Sequence, residues 1–139
     1  MWIRTYSIVT KEVTREQMWK LFANVNNWHT WDEGTESAKL EGNFEIGNFF
    51  ILKPKGGPKV KVELLATVEN QMLIFGTKFP LAKMYDRRAF EETSEGVKFT
   101  SSIIVTGILG FIPRMIVARK IVENLPKDMQ HQIKSAKNL

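Results

Sequence analysis

From Ile112 to Leu139 the chain reads IPRMIVARKIVENLPKDMQHQIKSAKNL. Met115, Ile116, Ala118, Val122, Leu125, Met129 and Ile133 recur mostly at intervals of three and four, the spacing of one helix face. Lys120, Glu123, Lys127, Lys134 and Lys137 fill much of the other side. The pattern predicts one long amphipathic helix. Such a helix has little stability alone in water, because most of its stability comes from burying the apolar stripe. It needs a surface to lie on. Pro126 falls inside the pattern, where a proline costs about 3 kcal/mol through its missing donor and ring clash. Two readings stand: one helix kinked over what lies beneath it, ranked first, or a helix ending near Asn124 with Pro126 opening a second.

The surface comes from the middle of the chain, where nearly everything between Gly34 and Gly107 carries strand patterning. Lys59 to Glu69 alternates most cleanly, with Val60, Val62, Leu64, Ala66 and Val68 inward; only Leu65 breaks the pattern. Asn48 to Pro54 is a strand apolar on both faces. Lys55-Gly56-Gly57-Pro58 and Asn70-Gln71 are turns. Met72 to Phe79 puts Leu73, Phe75 and Phe79 on one face before Pro80 interrupts it. Ala82 to Glu92 and Val97 to Thr106 are long strands joined by Thr93-Ser94-Glu95-Gly96. If that turn closes a hairpin, Phe90 faces Phe99, Arg88 faces Ser101, Asp86 faces Ile103 and Met84 faces Val105. Arg87, Glu91, Lys98, Thr100, Ser102 and Thr106 then form a solvated face. A slip of one residue puts Tyr85 and Arg87 inside instead.

At the other end, Trp2 to Thr10 is a strand. Thr14 reads as an N-cap, with Gln17 completing a capping box and Val13 and Met18 forming a hydrophobic staple. That helix runs to about Ala23, and Asn24, Asn26 and Asn27 end it. A short second turn carries Trp28 and Trp31, three apart and so on one face. The order is strand, two short helices, about six strands and a long helix. This is an α+β arrangement with an antiparallel sheet.

Composition narrows the function. At 139 residues the chain is one domain by length. It is 43% hydrophobic and 25% charged, as ordered globular chains are. It has no cysteine, which removes disulfides, thiolate catalysis and cysteine-held metals and is compatible with a cytoplasmic setting. The net charge is +5, yet only Lys53, Lys55, Lys59 and Lys61 approach a cluster, and they straddle a turn. No nucleic acid partner is expected, since neither a motif nor stacking aromatics on a basic face are present. Met1 to Thr10 is no signal peptide. Ile103 to Ala118 is strongly apolar, but Gly107, Gly110, Pro113 and Arg114 interrupt it and it falls short of the roughly 20 residues a span needs. It reads as a strand end, a glycine-hinged loop and a helix start, so no stable membrane insertion is expected.

Chemistry-bearing residues are few. His29 and His131 are the only histidines, and neither has metal-ligand spacing. No phosphate-cradling glycine motif is present either, so no cofactor and no metal are expected. Ser101 has no histidine near it in the pattern. Asp86 and Arg88 are the informative pair. A charge on an apolar face needs a partner. Either they pair with each other and close the sheet, or Arg88 anchors a ligand carboxylate or enolate and Asp86 orients it.

Several stretches carry a resemblance. They are Val13 with Met18-Trp19, Trp28-His29-Thr30-Trp31, Glu36-Ser37-Ala38, Gly47 and Lys53-Pro54-Lys55-Gly56-Gly57-Pro58. Ile104-Val105-Thr106-Gly107-Ile108-Leu109-Gly110 and Leu125-Pro126 complete the set. In this order the chain resembles the START-like (SRPBCC) superfamily, in its polyketide cyclase/dehydrase and lipid-transport branch, across essentially its whole length, residues 1–139. The resemblance implies a helix-grip (START/Bet v 1-like) fold, a curved antiparallel sheet of about seven strands around the C-terminal helix, with a pocket between them. Trp28, Trp31, Phe50, Leu64, Phe75, Phe79, Asp86, Arg88, Phe90, Phe99, Ser101, Ile103, Met115, Arg119 and Val122 are the expected lining, and the Gly107–Gly110 loop the expected gate. The leading functional expectation is binding or transport of a small hydrophobic molecule such as a lipid, isoprenoid or polyketide-like aromatic. One alternative is a cyclase/dehydratase using Asp86, Tyr85 or a bound water for proton transfer, ranked lower because no acid–base set stands out. Another is an interaction module with a filled cavity. The chain is expected to be a monomer or homodimer.

Overall fold

A computed structural model of the chain describes residues 1–107 and 118–139. β1 (Trp2–Thr10) leads into α1 (Arg15–Ala23) and a 3₁₀ helix (Val25–Thr30). Six strands follow: β2 (Thr35–Leu40), β3 (Phe49–Pro54), β4 (Val60–Val68), β5 (Met72–Phe79), β6 (Ala82–Thr93) and β7 (Gly96–Gly107). α2 (Arg119–Lys137) is the terminal helix. The strands form one antiparallel sheet in the order β1-β7-β6-β5-β4-β3-β2, so the first strand closes against the last. Both α helices pack on one side of this sheet and bury a shared core.

The local chemistry explains the elements. The Gln17 backbone N–H donates to Thr14 Oγ1 at 3.1 Å, and the Thr14 N–H donates to Gln17 Oε1 at 2.9 Å, so the capping box is complete. Val13 and Met18 are both buried beside it. After α1, the Trp28 indole N–H donates to the Phe22 carbonyl at 3.1 Å and ties the 3₁₀ helix back onto α1. Asn26, which reads only as a helix breaker, also bonds the backbone of Leu40 twice, at 3.1 and 2.9 Å. It thereby holds the end of β2.

The β6–β7 hairpin has the expected register: Phe90 opposite Phe99, Arg88 opposite Ser101, Asp86 opposite Ile103 and Met84 opposite Val105. No slip occurs, so Arg87 and Tyr85 lie on the convex side. Ser102, expected to be solvated, is buried because β1 runs alongside; the Thr5 and Ser102 hydroxyls share a hydrogen bond of 3.0 Å. β4 departs from its expected alternation. Its register against β5 shifts between Leu64 and Ala66, leaving Leu65 as a bulge over Gly76. Beyond the bulge the faces exchange. Thr67 sits opposite the fully buried Leu73, while Val68, expected inward, is 44% exposed.

α2 runs unbroken through Pro126, which favours the single-helix reading. Leu125, Met129, Ile133 and Ala136 form its buried line. The helix start expected at Ile112, including Met115, and the loop residues Ile108 to Gly110 lie outside the described residues.

Candidate functional site

The concave face divides into a packed end, a charged middle and an open end. Reading β6 backwards from its hairpin, the inward residues are Phe90, Arg88, Asp86, Met84 and Ala82.

At the packed end the aromatics meet one another. Phe22 stacks on Phe90 at 6.0 Å between ring centroids, and Phe90 lies 5.5 Å from Phe99. Trp28, Phe50 and Phe75 form a second set with centroids 5.1 to 5.6 Å apart. Edge-on and offset rings of this kind add to the stability their area alone supplies. Leu64, Ser101 and Ile103 are fully buried among them. Much of the expected pocket lining is therefore core here. The reason is α1: its Phe22 inserts between the sheet aromatics.

In the middle, Arg88 grips Asp86 with two hydrogen bonds, Nε to Oδ1 at 3.2 Å and Nη2 to Oδ2 at 3.0 Å. The side chains are only 16% and 18% exposed. A neighbouring pair of inward positions on one strand puts them side by side, and the Arg88 guanidinium also lies 4.3 Å from the Phe22 ring. Asp86 thus has both oxygens engaged. Tyr85, the other candidate proton donor, is on the convex face, with Lys83 over its ring at 5.5 Å.

Beyond the pair the inward residues Met84, Val105, Val62 and Phe50 are still buried, and half-burial sets in only at the last inward positions of the strands, the open end. Leu52 and Val60 pair across β3 and β4, Phe79 ends β5, and Trp2 pairs with Val105. Ile121 and Val122, near the start of α2, are half-buried as well. Phe79 and Val122 of the expected lining are among these half-buried residues, as are Trp2, Leu52, Val60 and Ile121, which the sequence reading does not include; alternation puts the strand residues on the concave side. Arg119 is not among them. Its side chain is 69% exposed and pairs with Glu123 at 3.5 Å, because the buried line of α2 runs through Ala118 and Leu125 and Arg119 stands about 100° around from Ala118.

Trp31 is half-buried, 6.0 Å from Phe22, and its carbonyl accepts a hydrogen bond from His131 Nε2. His131 therefore joins α2 to the 3₁₀ helix. It also borders a groove of about 350 Å³ shared with Asp32, Gly34 and Asp128, which sequence spacing did not reveal. Burial first, and then the Asp32 carboxylate, push Asp128 above the ordinary carboxylate range; Arg88, Lys127 and His131 pull the other way. No cluster of three or more His, Asp or Glu side chains among the described residues is placed to hold a metal ion. Among them, no helix is long and apolar enough to cross a membrane.

This architecture is shared with solved structures. A hypothetical protein from Helicobacter pylori matches with a TM-score of 0.75 at 9% identity, over 97% of this chain and 88% of that one. Norcoclaurine synthase from Thalictrum flavum, solved with dopamine and hydroxybenzaldehyde, matches at 0.71 and 9% identity, over 96% and 84%. The di-domain ARO/CYC StfQ from the steffimycin biosynthetic pathway matches at 0.70 and 12% identity, over 98% of this chain and 49% of that one. The chain has the START-like helix-grip fold. The helix-grip chain thus spans about half the length of StfQ. No protein-family model and no curated protein matches its sequence.

Proposed function

We propose that this helix-grip domain binds a small hydrophobic molecule at the open end of its concave face, above the Asp86–Arg88 pair. One observation carries the reading. Most inward-facing apolar residues here are buried, Phe50, Val62, Met84 and Val105 among them, whereas Trp2, Leu52, Val60, Phe79, Ile121 and Val122 gather half-buried at one end, with Ile8 half-buried at the other. An apolar wall with few polar groups is the usual character of a small-molecule site. Burying a ligand there gains roughly 25 cal/mol per Å² of apolar surface covered. Arg88 keeps N–H groups beyond the two that hold Asp86, and these are available to one polar end of a ligand. The fold-level likeness to norcoclaurine synthase, solved with two small aromatic compounds, supports an aromatic or similarly sized ligand, but only by analogy. The cyclase/dehydratase alternative ranks lower, since Asp86 is committed to Arg88 and Tyr85 faces away from the concave side.

Native mass spectrometry of the purified protein, followed by extraction under denaturing conditions, tests the proposal. A retained apolar molecule, lost in Phe79→Asp and kept in Val68→Asp on the convex face, is the expected result. An apo mass, together with no thermal shift across a panel of fatty acids, isoprenoids and aromatic polyketides, overturns it.

A further inference from the structure

β1 is the terminal strand of the sheet. It pairs with β7 without a register shift from Trp2 to Thr10, and its other row of backbone N–H and C=O groups has no strand partner among the described residues. Edges of this kind are usually defended by proline, a bulge or inward charge. Here nine residues run without proline or bulge; Arg4, opposite the buried Ile103, is the one inward charge, and Ile3, Tyr6 and Val9 are exposed along the strand.

The second half of this edge opens onto a groove of about 560 Å³. Ile8, Val9, Thr10 and Glu12 form one wall, and Gln130, Ile133, Lys134 and Lys137 of α2 form the other. Ile8 points to the concave side, since it pairs with the fully buried Phe99. A strand added to β1 would therefore turn alternate side chains into the groove, against Ile8 and Ile133. A strand edge beside a helix supplies both requirements of peptide capture: backbone hydrogen bonds for affinity, and a groove that reads every second side chain.

Charge selects the occupant. Lys134 has no acidic partner among the described residues, and Lys137 shares Glu12 at 3.6 Å from a largely exposed position. Arg4 stands exposed further along the edge, stacked 4.8 Å from Trp2. A second copy of this chain offers no acid on its own β1, WIRTYSIVT; the acid of its other sheet edge, Glu36 of β2, is already paired with Lys53 at 3.2 Å, and the copy carries the same net charge of +5. We propose that the β1 edge and this groove receive an extended segment of a partner protein, apolar at alternate positions and acidic where it passes Lys134, as an eighth strand of the sheet.

The probe is a labelled synthetic peptide of about ten residues, long enough to pair with the whole edge. It alternates Val and Thr and carries Asp at both ends. Two further versions are N-methylated at odd or at even residues, which removes one or the other set of strand hydrogen bonds. Fluorescence anisotropy should show binding of the parent peptide, weakened about tenfold by Lys134→Glu and by raised salt. One N-methylated version should bind like the parent, and the other at least about tenfold more weakly, because only alternate residues bond an edge strand. Hydrogen exchange should gain protection in β1. Equal binding of both methylated versions overturns the proposal, as does indifference to Lys134→Glu or absence of binding. Self-association that protects β1 amides without peptide overturns it in favour of a second copy. Lys134→Glu is remote from the open end of the concave face, so retained small-molecule binding in that variant keeps the two readings separate.

Discussion

Arg88 and Asp86 face each other across one pleat of β6 with two hydrogen bonds, at 3.2 and 3.0 Å, beside the Phe22 and Phe75 rings. Removing one member leaves the other charged and largely buried. Arg88→Met is expected to destabilise the fold by about 3 kcal/mol, whereas the double variant Asp86→Leu/Arg88→Met should come close to the parent, because the desolvation cost leaves with the pair. Urea unfolding of both variants checks this. A double variant as unstable as the single one would show that the charge pair, rather than the space it fills, is what the sheet requires.

Thr14→Ala removes the oxygen that receives the Gln17 N–H and so opens the capping box of α1. The expected cost is about 1 kcal/mol, and Thr14→Ser should recover most of it. Chemical denaturation midpoints at constant m-value read the difference.

Gly96 closes the β6–β7 hairpin with φ +126°, and a Cβ there would stand 2.4 Å from the Thr10 carbonyl oxygen. Gly96→Ala therefore meets both a backbone conformation that L-residues avoid and a rigid neighbour. A loss of about 2 kcal/mol or more is expected in thermal or urea unfolding. A neutral result would mean that the turn relaxes to another form.

Asp128 lies beside Asp32, Arg88, Lys127 and His131, and its pKa is raised from the usual 3.8, by burial first. A carboxylic acid with a raised folded pKa binds its proton more tightly folded than unfolded. Its ionisation therefore costs stability as pH rises through that folded value, and the cost vanishes as pH falls below 3.8. Asp128→Asn should thus be more stable than the parent at pH 7, with the gap closing towards acid. Paired unfolding curves at the two pH values test the sign. A variant less stable at pH 7 would show that attraction to Arg88 outweighs burial.

Much of this fold is legible in the sequence, and the reasons are local. The hairpin register follows from a short turn and from Phe90 and Phe99, which can share only one face in one alignment. Thr14 and Gln17 announce α1 because both halves of a capping box are short-range. Val68 was misassigned for a local reason too. The bulge at Leu65 shows only as a break in alternation, and its effect is to exchange every face beyond it. The site was less legible. Whether Phe99 is core or pocket lining depends on Phe22 reaching it from α1, a tertiary event without a spacing signal. Arg119 falls between the apolar positions Met115 and Val122 in the sequence but outside the buried stripe in space. The groove at Asp32 and Asp128 draws on opposite ends of the chain: the bond between His131 and Trp31 spans 100 positions.

The pairing of the first strand with the last has a consequence for biosynthesis. Thr5 and Ser102 bond across 97 positions, so β1 leaves the ribosome long before β7, its strand partner among the described residues, exists. Until β7 emerges, the nine residues of β1 have both edges open, and the sheet must grow from the local hairpins β4 to β7 towards them. Pairings this distant close slowly, since the loop entropy is lost before any contact is gained. Until then the chain is open to misassociation along β1, and it is there that a holding chaperone has time to act.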